Sequence, residues 1–141
     1  MVGVDRTGDG MGDLRILIVS DDPLLRHMTC AWFERRAFHV AAAPDSTAAA
    51  ACCERNGFDA VIVDFDMDDM QSYETVLFLR AQGRDRAIIA LLTSVEERFS
   101  ALICGATRAL VKPVPLHQLE EEVRQACDHV RARYATAQSV G

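Results

Sequence analysis

The chain is almost without lysine: Lys112 is the only one, and every other member of the 15 Lys+Arg is an arginine. It has no surplus of positive charge either, the formal net charge being −6, which argues against a nucleic-acid surface built on clustered cations. No apolar run approaches the ~20 residues that span a bilayer. The opening residues, Met1 to Gly12, lack the basic start and hydrophobic stretch of a secretory leader. The five cysteines (Cys30, Cys52, Cys53, Cys104, Cys127) include no CxxC pair, which speaks against a zinc ribbon or a disulfide framework. Small thiols in helices of a reducing compartment explain them, with a redox pair at Cys52-Cys53 as the minor alternative. The four histidines, His27, His39, His117 and His129, show no ligand spacing. Asp5 to Gly10 opens like a calcium loop, but Ile16 stands where the bidentate carboxylate belongs. No repeat, low-complexity tract or second domain is visible. These absences leave a soluble, cytoplasmic, single-domain protein of 141 residues, half of them apolar, enough for a real core.

What is present alternates. Leu14–Val19, Phe38–Ala42, Ala60–Val63, Ala87–Leu92 and Ala109–Val111 are short, β-branched or apolar runs that read as strands. Between them lie helical patterns. The first begins at Pro23 behind an Asp22 cap and runs to about Ala37; the second is capped by Asp45 and stopped by Gly57 near Asn56. Further helices are expected over Ser72–Ala81, over Val95–Cys104 and from Leu116 to about Tyr134, followed by a frayed tail. The domain is therefore placed at 14–130, with a flexible segment 1–13 before it and a helix end and tail at 131–141. Strands alternating with helices imply a parallel sheet covered on both faces. Of the common doubly wound α/β orders, the flavodoxin-like (βα)5 three-layer sandwich with order 2-1-3-4-5 fits the strand count.

In such sheets ligands sit beyond the carboxyl ends of the strands, where strand order reverses. That edge here carries Ser20, Asp21 and Asp22 after the first strand and Asp64 at the third. Thr93 and Ser94 follow the fourth strand, and Lys112 and Pro113 the fifth. Clustered carboxylates call for a hard cation such as Mg²⁺, which takes a few carboxylates plus water and substrate oxygens. A carboxylate can attack phosphorus and hold the phosphoryl group as an acyl phosphate. Its charge then needs a cation, a hydroxyl and N–H donors. Lys112, Thr93 and the amides of Phe65 and Ser94 are placed to supply them. Any one of these residues alone reads as a turn or a helix cap; their joint placement at four strand ends outweighs that explanation. The lone lysine gains its weight from falling at one of them, since a compact ammonium differs from a planar guanidinium.

These residues resemble the receiver domain of bacterial response regulators over Leu14 to Val130. LRILIVSDDPLLR looks like its first strand and acidic loop, FDAVIVDFDM its phosphoacceptor strand, LLTS its hydroxyl loop and GATRALVKPV its lysine loop. The resemblance implies Asp64 as phosphoacceptor, Asp21 as a direct Mg²⁺ ligand with the carbonyl of Asp66 beside it, and Thr93 and Lys112 on the phosphoryl group. It implies a cis Lys112-Pro113 bond. It also implies a histidine kinase or histidine phosphotransfer protein as donor, an unnamed protein target, and compatibility with a homodimer.

Four departures stand out. Ser20 replaces the first acidic residue of the family. Asp68 and Gln71-Ser72 replace the usual Pro and Asp-Gly after the acceptor. Ala109 stands where an aromatic residue changes rotamer with phosphorylation. Nothing after the last helix resembles an output domain. Asp66 has a side chain that could face an incoming water or replace charge missing at Ser20. A receiver that binds partners without phosphorylation is the main rival reading. A haloacid-dehalogenase-type phosphatase, suggested by Asp64-Phe65-Asp66, lacks that superfamily's later acidic motif, because Glu120 to Glu122 read as a helix start.

Overall fold

The computed structural model describes residues 13–67, 71–83 and 85–140. The segment 1–12, with the Asp5–Gly10 stretch, and the departure at Asp68 lie outside them. Strands β1 (Arg15–Val19), β2 (His39–Ala43), β3 (Ala60–Asp64), β4 (Ala87–Leu92) and β5 (Arg108–Val111) pair in parallel in the order 2-1-3-4-5. They alternate with α1 (Pro23–Arg35), α2 (Ser46–Arg55), α3 (Gln71–Gln82), α4 (Arg98–Cys104) and α5 (Leu116–Val140).

Every residue of β3 and β4 is buried, as a parallel sheet with two covered faces requires. Side chains leave a strand alternately up and down, and the core divides accordingly. Leu17, Val19, Val61, Val63, Ile88 and Ala90 meet Ala49, Cys53, Val76, Leu79 and Ala101 from α2, α3 and α4. Ile16, Ile18, Ile62, Ile89 and Leu91 meet Phe33 of α1 and Leu119, Val123 and Ala126 of α5. Register pairs Val19 with Val63, Asp64 with Leu91 and Leu92 with Val111, so the carboxyl ends of four strands reach one edge together.

Local chemistry sets the helix ends. The Asp22 carboxylate accepts from the amides of Leu24 and Leu25 at 3.0 and 3.3 Å, and Asp45 from Ala48 at 2.8 Å. Helix α1 stops at Arg35, short of the expected Ala37. Ala37 turns left-handed (φ 70°), Phe38 N–H donates to Phe33 C=O at 3.0 Å and Ala37 N–H to Glu34 C=O at 3.3 Å. The two phenyl rings pack edge-on at 4.7 Å, supplying the apolar contact that closes such a turn. Gly57 does not end α2. Asn56 leaves it in extended conformation, and its side-chain amide donates to Cys52 C=O at 3.1 Å. The expected helix 95–104 begins as a 3-10 turn, Val95–Glu97, before α4. The last helix runs past its expected end near Tyr134: α5 continues to Val140, where Ala135, Ala137 and Gln138 favour helix and no Gly or Pro interrupts.

The cysteines all lie in helices as free thiols. Burial raises Cys30 and Cys53 and pushes Cys127 up to about 12, which keeps these sulfurs protonated and unreactive. Among the described residues, no helix is long and apolar enough to cross a membrane.

Two polar devices tie elements together. Glu120 of α5, 6% exposed, accepts from Trp32 Nε1 at 3.0 Å and Arg36 Nε at 2.9 Å on one oxygen, and from Arg124 Nε at 2.9 Å on the other. Burial alone would raise its pKa; the bonds from Arg124, Trp32 and Arg36 outweigh that and hold it below the ordinary glutamate value. A depressed carboxylate contributes stability above its unfolded pKa, and that contribution disappears as pH falls through the folded value. Glu120→Gln is therefore expected to cost about 2 kcal/mol at neutral pH and progressively less in acid, as urea titrations from pH 7 to pH 3 would show.

The second device is Arg80, near the end of α3. It donates from Nε to Gly105 C=O at 3.0 Å, and from Nη1 to Gly83 C=O at 3.3 Å and Arg86 C=O at 3.1 Å. Its Nη2 donates to Thr107 Oγ1 at 3.2 Å.

Candidate functional site

Asp64 closes β3 and is 1% exposed. Its Oδ1 accepts from Lys112 Nζ at 2.6 Å and from the Asp66 amide at 3.1 Å, and its Oδ2 from Ser20 Oγ at 2.7 Å. Its carbonyl accepts from Ser72 Oγ at 2.9 Å. A buried carboxylate is tolerated only with such company. The sheet fixes the partners. Ser20 N–H extends the β1 pairing by donating to Ala43 C=O at 3.1 Å, and Lys112 N–H extends β5 by donating to Leu92 C=O at 2.9 Å. Beyond Lys112 the Lys112-Pro113 bond is cis.

The other expected residues fall into two sets. Asp21, next to Ser20, is exposed. Asp22 is committed to capping α1, and Arg26 Nη1 donates to Ser20 C=O at 2.7 Å. Asp66 is exposed and shares with Thr93, Lys112 and Pro113 a cavity of about 530 Å³. Its remaining wall is mostly apolar, from Leu25 and Met28 of α1 to Leu116 and Leu119 of α5.

Three donors assigned to a phosphoryl group are engaged elsewhere. The Phe65 amide donates to Leu91 C=O at 2.8 Å, continuing the β3–β4 ladder, and its ring packs on Tyr73 at 4.8 Å. Thr93 donates to Glu97 Oε1 through both its amide (2.8 Å) and Oγ1 (3.0 Å), and the Ser94 amide joins them at 3.2 Å. Ala109 sits half-buried in β5 opposite Ala90, a small residue beside a small one.

The residues alone did not reveal Glu97, Ser72 or the direct bond from Ser20. Glu97 had a legible signal: Ser94-Val95-Glu96-Glu97 has the S-x-x-E spacing of a capping box. Ser20 brings no charge to the site, but its hydroxyl is a donor.

The candidate ligand atoms, the carboxylates of Asp21 and Asp64 and the Asp66 carbonyl, are all oxygens, which suits a hard cation. The set is short of carboxylates, with Ser20 in place of one, and the described residues contain no group of three His, Cys, Asp or Glu side chains around a common point.

The 2-1-3-4-5 sheet, with a buried strand-end carboxylate and a lysine meeting at its reversal point, is a CheY-like, flavodoxin-like fold. The response regulator receiver domain family matches residues 16–124, and the chain belongs to that family, the receiver module of two-component systems. It is 31% identical over 132 residues to the transcriptional regulatory protein PrrA of Mycobacterium tuberculosis, covering 92% of this chain and 55% of that one. The chemotaxis response regulator CheY4 of Vibrio cholerae is 28% identical with a TM-score of 0.73, covering 81% and 98% of the two chains. A Burkholderia pseudomallei response regulator, solved with a phosphorylated aspartic acid, a calcium ion and citrate, shares the fold at TM-score 0.75 and 20% identity, covering 89% and 75%. The chain spans between 14% and 55% of the length of the curated relatives it matches most strongly.

Proposed function

We propose that Asp64 accepts a phosphoryl group, with Mg²⁺ bound beside it, from the phosphohistidine of a histidine kinase or histidine phosphotransfer protein. Output is then a change in the binding of a protein target. The observation that carries this is the 2.6 Å contact between the only lysine and a carboxylate that is 1% exposed. In the reaction the P–N bond of the donor breaks and a P–O bond forms to a carboxylate oxygen of Asp64, the imidazole departing with the electron pair. Both oxygens hold hydrogen bonds beforehand, each keeps a lone pair for attack, and the Lys112 ammonium stands ready to shift from the carboxylate to a phosphoryl oxygen.

Asp21, Asp64 and the carbonyl of Asp66 would hold Mg²⁺, which supplies charge neutralisation for the carboxylates and the transferring oxygens. The phosphorylated aspartic acid and calcium ion of the Burkholderia pseudomallei protein support the same reading by fold.

Exposure to acetyl phosphate and Mg²⁺ is expected to add one phosphoryl group by intact mass, and Asp64→Asn to take up none. Turnover of small phosphoesters is expected to be absent, in contrast to a phosphatase. The hydroxyl of Ser20 on Asp64 favours a second reading, a module that binds its partner without phosphorylation. An unmodified wild-type chain in the same experiment would select it.

Ser20 also gives a graded test. Restoring a carboxylate with Ser20→Asp is expected to raise Mg²⁺ affinity on the order of tenfold. The same change lowers metal-free stability, because two carboxylates then face each other. Thermal shifts across a Mg²⁺ titration measure both. Unaltered affinity would mean that this position does not reach the cation.

A further inference from the structure

Resting on the phosphoacceptor reading, we infer that Glu97 is a positioning residue that holds the Thr93 hydroxyl and the Ser94 amide in reserve, so that phosphoryl uptake competes with an internal carboxylate. One oxygen, Glu97 Oε1, accepts from Thr93 N–H, Thr93 Oγ1 and Ser94 N–H at 2.8, 3.0 and 3.2 Å.

A helix cap does not need all three. The Ser94 side chain and the return bond to the Ser94 amide complete the capping box at the 3-10 turn. The two bonds from Thr93 are additional, and they bind a residue that precedes the cap. Thr93 nevertheless lines the same cavity as Lys112 and Asp66. Thr93 thus forms part of the wall that Lys112 also lines, while its hydroxyl proton is engaged by another anion.

A carboxylate oxygen and a phosphoryl oxygen are alternative acceptors for these donors. A hydroxyl has one proton to give, so Thr93 serves one acceptor at a time. Charge-assisted bonds of this kind are the strong ones. Phosphoryl capture of Thr93 and Ser94 must therefore release Glu97, and release removes the cap from the turn that starts α4. Occupancy of Asp64 and order at Val95–Glu97 become linked through one side chain.

Magnesium with beryllium fluoride, a phosphoryl mimic, tests this on the full chain by calorimetric affinity. Removing the competitor with Glu97→Ala is expected to tighten binding on the order of tenfold. Glu97→Gln, which keeps the length but lowers the charge, is expected to fall between that variant and wild type. Glu96→Ala serves as a control with wild-type affinity. In a Thr93→Val background the Glu97→Ala gain is expected to shrink to the part carried by the Ser94 amide.

If Glu97 is only a cap, Glu97→Ala lowers the melting temperature and leaves affinity equal or weaker, which overturns the inference. That result leaves the phosphoacceptor reading standing as long as wild type binds the mimic. A chain that binds it in no variant would overturn both.

Discussion

Lys112→Ala is expected to slow phosphoryl uptake from acetyl phosphate by about 10²- to 10³-fold, the usual loss when one preorganised charge donor to a transferring group is removed. The ammonium lies 2.6 Å from Asp64 Oδ1 and is the only lysine of the chain. Lys112→Arg is not expected to rescue the rate, because a planar fork cannot follow the phosphoryl oxygens as a compact ammonium can. Stability reports the same contact independently. Removing one partner of a buried pair leaves an uncompensated charge. Asp64 keeps its Ser20 and Asp66 donors, so the metal-free loss is expected to be about 2 kcal/mol. Adding Asp64→Asn to Lys112→Ala removes the stranded charge and is expected to recover part of that loss. Uptake kinetics by intact mass and urea unfolding provide both measurements. A rate within tenfold of wild type would remove Lys112 from phosphoryl contact.

Gly105→Ala is expected to destabilise the fold by about 3 kcal/mol. Gly105 caps α4 with φ 125°, a backbone region that L side chains rarely adopt. A Cβ there would lie 2.8 Å from Arg80 Cγ and 2.9 Å from Arg80 Cβ. Arg80 cannot yield cheaply, since its guanidinium is tied to Gly105, Gly83, Arg86 and Thr107. The melting temperature is expected to drop on the order of 10 °C. Combining Gly105→Ala with Arg80→Ala is expected to cost less than the sum, because the second change removes the Arg80 Cγ contact and the bonds that hold that side chain in place, leaving only its Cβ in the way. Strict additivity would show that the methyl is accommodated some other way.

The sheet was legible because buried parallel strands are short apolar runs, and Ile16–Val19, Val61–Val63 and Ile88–Leu92 are unambiguous examples. The site edge was legible for the same reason: once the strands are placed, the residues that follow them are placed too. What the residues withheld was direction. Thr93 stands at the expected strand end, yet its hydroxyl turns to Glu97, an outcome decided by the geometry of a 3-10 turn. The Phe65 amide is engaged because β3–β4 pairing continues one residue past Asp64. Helix ends fared worst. Ala37 in a left-handed turn and α5 running on to Val140 both depend on contacts or cumulative propensity that no single residue announces.

The two ends of α4 are fastened unequally. At Gly105 the helix is pinned by Arg80 to three other stretches of chain, whereas the turn at its start rests on the capping box of Ser94 and Glu97 and on two further bonds from Thr93 to the Glu97 carboxylate. A rod fixed at one end cannot slide; it can only pivot. Over a seven-residue helix, about 10 Å long, a 1 Å displacement of the free end becomes a tilt of roughly 6°. The largest travel then falls at Val95 and Phe99, which are 61% and 74% exposed. A small shift beside Thr93 would thereby become a change of angle at two hydrophobic side chains on the protein surface.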